Sequence, residues 1–400
     1  MQTTPISNRL HIGIFGRRNA GKSTLLNSIV GQNTAITSDQ PGTTTDPVYK
    51  TMELIPFGPV VIIDTAGIDD QGDLGELRIK KTIDIIDKTD LALIVLSGNS
   101  WGEEENELYL RFIDKKTPII VILNKIDQYS ADQLNAIRST IPADLQQITV
   151  SALTNKGIDT LKDAIIKNAP EKFETTSIIK DLINPNDYVV LVVPIDYEAP
   201  KGRLILPQVQ VLREVLDCNA IAVTVKETEL ESVLLQIPKP KLVITDSQAF
   251  KQVAKIVPPS VALTSFSILF ARHKGDLDIL VRGAAALDQL SGNDKVLIAE
   301  ACSHHIGKDD IAREKLPRWL KQYTGHNLQI NYVNGNDFPS DINEYKLVIH
   351  CGACMFNRQG FMSRIMKAEA QSVPITNFGV CIAKLMGILD RAVSVFNNSE

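Results

Sequence analysis

Short apolar runs separated by stretches of helical periodicity dominate the first 170 residues. Leu10 to Phe15, Val60 to Ile63, Leu91 to Leu96, Ile119 to Leu123 and Ile148 to Val150 are largely apolar. Runs of this length without polar alternation are typical of parallel strands covered on both faces. Between them, Lys22–Val30 and Leu74–Ile86 carry amphipathic patterns that predict helices. Strands alternating with helices predict a doubly wound α/β domain.

Around Pro170-Glu171-Lys172-Phe173 the pattern lapses into a polar segment that ends in Asn184-Pro185-Asn186-Asp187, which reads as a linker. A second α/β pattern follows: strands over Tyr188–Pro194, Ala220–Lys226 and Lys241–Asp246, and helices over Pro207–Leu216 and Gly275–Leu290. A third begins with strand Lys295–Ala299. It continues with helix Ile311–Tyr323, strand Leu347–His350, helix Gln359–Gln371, strand Pro374–Thr376 and helix Val380–Val393. The expected fold is α/β throughout: a domain over 1–172 with a mainly parallel sheet, then two smaller α/β domains over 185–285 and 290–400. No internal repeat stands out.

At 400 residues the chain exceeds what one core holds. Its apolar runs fall well short of the ~20 residues a membrane span needs, so no membrane association is expected. The start, Met-Gln-Thr-Thr-Pro, shows no signal peptide pattern. A net charge of −5 argues against a broad nucleic-acid surface. Five cysteines, an odd number, read as thiols and metal ligands of a cytoplasmic protein rather than a disulfide framework.

The chemistry of the first domain lies in four motifs. Gly16-Arg17-Arg18-Asn19-Ala20-Gly21-Lys22-Ser23 fits a P-loop between strand and helix. Its backbone N–H groups and the following helix N-terminus suit an anion, and Arg18, Asn19, Ala20, Gly21, Lys22, Ser23 and Thr24 form the expected phosphate-binding set. Lys22 is expected on the β- and γ-phosphates and Ser23 on Mg²⁺. In Asp64-Thr65-Ala66-Gly67, Asp64 suits Mg²⁺ through water, and the Gly67 N–H suits the γ-phosphate. In Asn124-Lys125-Ile126-Asp127, Asp127 can accept from both N–H positions of a guanine edge; Asn124 would buttress the loop, and the Lys125 stem would cover the ring. Ser151-Ala152-Leu153 offers a backbone N–H to the guanine O6. Thr44, in Gly42-Thr43-Thr44-Thr45-Asp46, is expected to complete the Mg²⁺ shell and order its loop around the γ-phosphate. The expected ligands are therefore GTP or GDP with Mg²⁺, and Lys22, Thr44 and Gly67 are the residues expected to act in hydrolysis.

Residues 10–170 resemble the tRNA-modification and Era branch of bacterial GTPases. Asn19 matches the P-loop position that helps hold a potassium ion in that branch, and Ile68 stands where Ras-like proteins carry a water-orienting glutamine. The resemblance implies slow hydrolysis stimulated by K⁺.

A second chemical signal lies near the other end: Cys302-Ser303-His304 and, 45 residues later, His350-Cys351-Gly352-Ala353-Cys354. If the strands before them are parallel neighbours, Cys302 and Cys351 emerge at one carboxyl edge. Three readings remain on spacing alone: buried thiols, a Cys₃His zinc site using His304 or His350, or an iron–sulfur cluster. Cys218 and Cys381 sit in apolar patterns and read as packing.

This pattern, with Pro317-Arg318-Trp319-Leu320, Pro200-Lys201-Gly202-Arg203-Leu204 and Thr245-Asp246-Ser247-Gln248, resembles the HydF family, GTPases that act as scaffolds in FeFe-hydrogenase maturation. The resemblance covers nearly the whole chain. It implies a GTPase domain, a dimerisation domain and homodimer, and a 4Fe–4S cluster on Cys302, Cys351 and Cys354. Glu300, His304, His350 or water would be the fourth ligand. It further implies a transient di-iron precursor built by two radical-SAM enzymes and passed to apo FeFe-hydrogenase, and no nucleic-acid partner. A tRNA-modification or ribosome-associated GTPase and a zinc-containing regulatory GTPase are the alternatives.

Overall fold

A computed structural model describes residues 5–31, 47–65, 67–68, 75–98, 100–170, 177–195, 204–301, 310–335 and 337–397, with backbone alone for 75–80. The expected Thr44, Cys302 and His304, and the segment at 200–203, lie outside the described residues. The chain divides into two compact units, Met1–Thr175 and Thr176–Glu400.

The first unit is a six-stranded sheet of β1 (Leu10–Gly16), β2 (Val48–Leu54), β3 (Gly58–Asp64), β4 (Leu91–Leu96), β5 (Ile119–Leu123) and β6 (Gln146–Thr149), in the order β2-β3-β1-β4-β5-β6. All neighbours are parallel except β2, which runs antiparallel to β3. Helices α1 (Lys22–Val30), α2 (Gly75–Ile86), α3 (Glu103–Asp114), α4 (Ala131–Arg138) and α5 (Ile158–Asn168) complete it. One face of the sheet packs Ile12 and Ile14 with Leu25 and Leu161; the other packs Phe15 and Ile94 with Leu108 and Phe112. The apolar runs expected as strands are strands because both faces are covered. β2 is an edge strand whose Val48, Tyr49 and Glu53 are exposed, so its sequence lacks an apolar run.

The second unit holds two four-stranded sheets. β7 (Tyr188–Val192), β8 (Ile221–Val225), β9 (Leu242–Thr245) and β10 (Ala262–Ser265) lie in the order β10-β9-β7-β8. β11 (Lys295–Glu300), β12 (Gln329–Asn334), β13 (Leu347–His350) and β14 (Ile375–Asn377) lie in the order β12-β11-β13-β14. Every pairing in both sheets is parallel. In each sheet the first strand sits between the second and third, with the fourth outside the third. The unit therefore repeats one topology, which the sequence does not announce. Local chemistry repeats too: the Ser265 hydroxyl after β10 accepts the Ile268 N–H at 3.2 Å, and the Asn377 side chain after β14 accepts the Val380 N–H at 2.9 Å.

The helices of this unit are α6 (Leu206–Asp217), α7 (Leu230–Gln236), α8 (Phe250–Ile256), α9 (Phe266–Lys274), α10 (Leu277–Ala284), α11 (Leu316–Thr324), α12 (Arg358–Ala370), α13 (Phe378–Leu385) and α14 (Leu389–Val393). Three expected helices differ. The one over 275–290 is α10, capped by the Asp276 carboxylate accepting from the Ile279 N–H at 3.1 Å, followed by a tighter 3₁₀ segment, Ala285–Gln289. The one over 380–393 is split into α13 and α14 around Gly387, whose φ of 71° is left-handed. The one over 311–323 opens with a wide π turn, Ile311–Lys315, before α11. Two smaller domains are expected over 185–285 and 290–400; residues from Thr176 on form one compact unit, in which Phe250 of α8 and Ile268 of α9 pack with Val296, Ile298, Leu347 and Ile349 of the second sheet.

α10 lies closely on β14. A Cβ placed on Gly283 would fall 1.8 Å from the Ile375 carbonyl oxygen. Gly283→Ala is expected to destabilise the second unit by about 1–3 kcal/mol or to displace α10. Urea unfolding followed by circular dichroism checks this, and an unchanged midpoint contradicts it.

Candidate functional site

The carboxyl ends of β1, β3 and β5 and the loop after β6 bring the four nucleotide motifs to one edge of the first sheet. β1 lies between β3 and β4, so the strand order reverses at the P-loop, where α/β sheets open a ligand crevice. Asn19, at φ 60°, and Gly21, at φ 91°, give the loop its left-handed turns. The loop is braced from two sides. The Asn124 amide donates to the Ala20 carbonyl at 2.9 Å, while its oxygen accepts the Ala152 N–H at 3.1 Å. The Lys125 ammonium donates to the Asn19 carbonyl at 2.6 Å. One buried side chain, Asn124, thus joins the phosphate loop to the Ser151-Ala152 loop. Asp127 is exposed at the same edge, and Ser151 is fully buried.

Lys22 is buried and its ammonium donates to the Gly16 and Arg17 carbonyls, both at 2.9 Å. The Ser23 hydroxyl donates to Asp64 at 2.5 Å. Among the described residues the other Asp64 oxygen, which is buried, has no hydrogen-bond partner, and burial raises the carboxyl pKa, with Ser23 and Lys22 pulling it down. A carboxylate with an orphaned oxygen beside a serine hydroxyl is a donor set that fits Mg²⁺. Arg18, Asn19, Ser23 and Thr24 are exposed along the loop. The Ile68 N–H donates to the Gly16 carbonyl at 3.3 Å, while its side chain packs against the core beside Phe15. That orientation is apolar and offers nothing to orient water.

Sequence reasoning missed the partner of Arg17. Its guanidinium forms a two-pronged pair with Glu105, at 2.8 and 2.7 Å, and reaches Glu104 at 3.0 Å. Glu105 is fully buried and also accepts the Gly102 N–H at 3.0 Å at the start of α3. The P-loop is thereby tied to the N-terminus of α3 by a charged fork.

In the second unit, β11 and β13 are parallel neighbours with Ala299 opposite His350, and the Cys351 N–H continues the ladder to the Ala299 carbonyl at 2.8 Å. The Cys351 sulfur accepts the Ala301 N–H at 3.0 Å, so the residue preceding Cys302 touches the second cysteine of the motif. Burial pushes the Cys351 thiol up to about 11, against backbone N–H donors that favour the thiolate. Cys354 follows on a loop that turns through Ala353 at φ 52°. Among the described residues no three His, Cys, Asp or Glu side chains gather as metal ligands; two of the three expected thiols, Cys351 and Cys354, are described. Cys218 sits half-buried in the first core of this unit, and Cys381 is fully buried, as their apolar patterns imply.

Two of the candidate fourth ligands, His350 and Glu300, are described and are engaged elsewhere. His350 is fully buried, and its pKa is driven down to about 3 by burial and then by Arg364. Arginine only donates, so the 2.8 Å contact from Arg364 makes Nε2 the acceptor and leaves Nδ1–H to donate to the Cys351 carbonyl at 2.9 Å. Both ring nitrogens are used, which argues against His350 as a ligand. Glu300, 4% exposed, is ion-paired to Arg313 at 3.1 Å, and Arg313 stacks on Tyr332 at 3.9 Å.

Lys274 is the other residue that the sequence reading overlooked. It ends α9 and is 2% exposed. Its ammonium donates to the carbonyls of Phe356 at 2.7 Å and of Ala353 and Cys354 at 3.3 Å. The only sequence signal is a lysine that closes the helix, after Arg272 and His273 and just before a glycine.

The bracing of the nucleotide edge gives a test. Asn124→Ala removes both links and strands the buried Ala152 N–H, a cost of about 1–3 kcal/mol. GTP affinity is expected to fall about tenfold or more, read by titration with a fluorescent nucleotide. Unchanged affinity contradicts the bracing role.

Comparison with known proteins follows this division of the chain. The hydrogen maturase F dimerization domain model matches residues 178–275, the hydrogen maturase F tetramerization domain model matches 278–395, and a model described as 50S ribosome-binding GTPase matches 11–125. The GTPase Era of Carboxydothermus hydrogenoformans is 35% identical over 165 residues, 40% of this chain and 55% of that protein. The tRNA modification GTPase MnmE of Thermotoga petrophila is 36% identical over 167 residues, 41% of this chain and 36% of that protein. The chain therefore spans about half of one relative and about a third of the other. Among solved structures, Aquifex aeolicus Era bound to GDP.AlF4- aligns over 54% of this chain and 91% of its own, at 21% identity and a TM-score of 0.35. Among the described residues no helix is long and apolar enough to cross a membrane. Two hydrogen maturase F domains in series, behind a P-loop GTPase domain, make the chain a member of the hydrogen maturase F (HydF) family.

Proposed function

We propose that this chain is a GTP-hydrolysing scaffold that carries a 4Fe–4S cluster on Cys302, Cys351 and Cys354. On it the di-iron subcluster of FeFe-hydrogenase is assembled and from it delivered. The observation that carries this reading is the contact of Ala301 with the Cys351 sulfur across two parallel strands. Cys302 is the next residue in the sequence, which supports a meeting of the expected thiols at one sheet edge although 49 positions separate the first two. Three cysteines there would leave one iron of a bound cluster without a protein thiolate, which would suit docking of a di-iron precursor.

In the first unit, Lys22 would leave the Gly16 and Arg17 carbonyls for the β- and γ-phosphates. Ser23, Asp64 and Thr44 would hold Mg²⁺, and Asn19 would hold K⁺. The Gly67 N–H would meet the γ-phosphate, and Asp127 with the Ser151-Ala152 loop would read guanine. GTP then acts as a switch for contacts with partners: two radical-SAM enzymes that build the precursor and the apo-hydrogenase that receives it. The domains are proposed as 1–172, 185–285 and 290–400, in a cytoplasmic protein. The dimerization and tetramerization descriptions support self-association, at least as a dimer, through the second and third domains. The Era and MnmE relatives described above match about two fifths of the chain, whereas the hydrogen maturase F models match 178–275 and 278–395, which favours this reading over a tRNA or ribosome role.

Two measurements test the proposal. After anaerobic reconstitution with ferrous iron and sulfide, the chain is expected to be brown with about four irons per protein, and serine at Cys302, Cys351 or Cys354 is expected to remove most of that iron. A colourless protein holding zinc contradicts the cluster and favours the regulatory reading. GTP hydrolysis is expected to run faster in potassium than in sodium buffer, and equal rates contradict the K⁺ site.

A further inference from the structure

The last helix of the first sheet's half of the second unit ends inside the cysteine loop of the other half. α9 follows β10, and its final residue, Lys274, donates to three carbonyls of the segment Ala353 to Phe356, 79 to 82 positions away. The contact is reciprocated. Arg358, which opens α12 just beyond the loop, donates to the carbonyls of His273 and Gly275, both at 3.0 Å, at the C-terminus of α9. Each partner thus places a cation on carbonyls of the other, the favourable end for positive charge in the case of α9.

The clasp has no slack. A Cβ on Gly275 would lie 2.7 Å from the Ala271 carbonyl oxygen and 2.8 Å from the Phe361 ring. The loop is also held by His350, whose Nδ1–H meets the Cys351 carbonyl and whose other nitrogen accepts from Arg364. Arg364 also donates to the Gly335 carbonyl and stacks on Phe356 at 4.4 Å. A buried ammonium is costly unless an anion or several carbonyls compensate it. Burial lowers the Lys274 pKa to about 8, while the three carbonyls accept hydrogen bonds from it and Cys354 and Cys351 lie near enough to favour its charged form.

We propose that Lys274 is the positioning residue of the cysteine edge: it fixes the loop that presents Cys351 and Cys354 and, as a buried cation beside that loop, raises the reduction potential of the cluster they hold. The inference rests on the cluster reading above. Reduction adds negative charge to an iron–sulfur cluster, and a fixed positive charge in a low-dielectric surrounding favours that state. The residue belongs to the half matched by the dimerization model, 178–275, whereas the cysteines belong to the half matched by the tetramerization model, 278–395. Lys274 thus joins the two halves.

The test uses the full chain reconstituted anaerobically with ferrous iron and sulfide, comparing wild type, Lys274→Met and Lys274→Arg by redox titration with electron paramagnetic resonance. Thermal melting serves as the folding control. Lys274→Met is expected to make the cluster about tenfold harder to reduce, ~59 mV more negative for one electron, with an altered resonance line shape. Lys274→Arg keeps the charge and is expected to stay close to wild type. If Lys274→Met takes up no cluster, Lys274→Arg decides: a wild-type potential supports the proposal. An unshifted potential in Lys274→Met, or Lys274→Arg behaving as the methionine variant does, overturns it. A wild-type chain that binds no cluster refutes the scaffold reading itself, an outcome distinct from an unshifted variant.

Discussion

The parallel pairing of β11 with β13 is the constraint on which the rest depends. It sets Ala299 against His350, and so delivers the next residues of both strands to the same edge. Parallel strands need a crossover, here running through α11 and β12, and that crossover is why the two halves of the motif are far apart in sequence. Shifting the register by one residue would turn Cys351 to the other face and lose the contact between its sulfur and the Ala301 N–H. The first unit obeys the same rule, since its nucleotide motifs gather where β1 lies between β3 and β4.

Buried polar groups then give both edges their rigidity. Asn124 links two loops of the nucleotide edge, and the Arg17–Glu105 fork anchors the P-loop to α3. At the cysteine edge, His350, Arg364 and Lys274 engage backbone carbonyls around the loop. Each is hydrogen-bonded at more than one point, as burial of such groups demands. Preorganisation of this kind keeps a loop ready for an anion or a metal without ordering it anew at each binding event.

Legibility in the sequence followed burial. Leu91–Leu96 and Ile119–Leu123 read to the residue as strands because every position is buried. β2 and β12 did not, because they lie at sheet edges: β2 buries only Met52 and Leu54, and β12 has no buried position. The split of the last expected helix turned on the left-handed Gly387. Spaced motifs such as Gly16 to Ser23 were legible because their chemistry is local. Lys274, Arg364 and Glu105 were not, because their partners are remote in sequence or unmarked in it: the Lys274 bonds span 79 to 82 positions. The repeated topology of the second unit was hidden for a related reason, since hydrogen-bonded strand order is independent of side-chain identity.

The central claim is convergence of Cys302, Cys351 and Cys354 at the end of β11 and β13. A crystal structure of the anaerobically reconstituted chain measures it directly. The account predicts all three sulfurs on one iron–sulfur cluster, with the Lys274 ammonium still bound to the carbonyls of the loop. A Cys302 sulfur turned away from the other two, or a metal held by other residues, would contradict it.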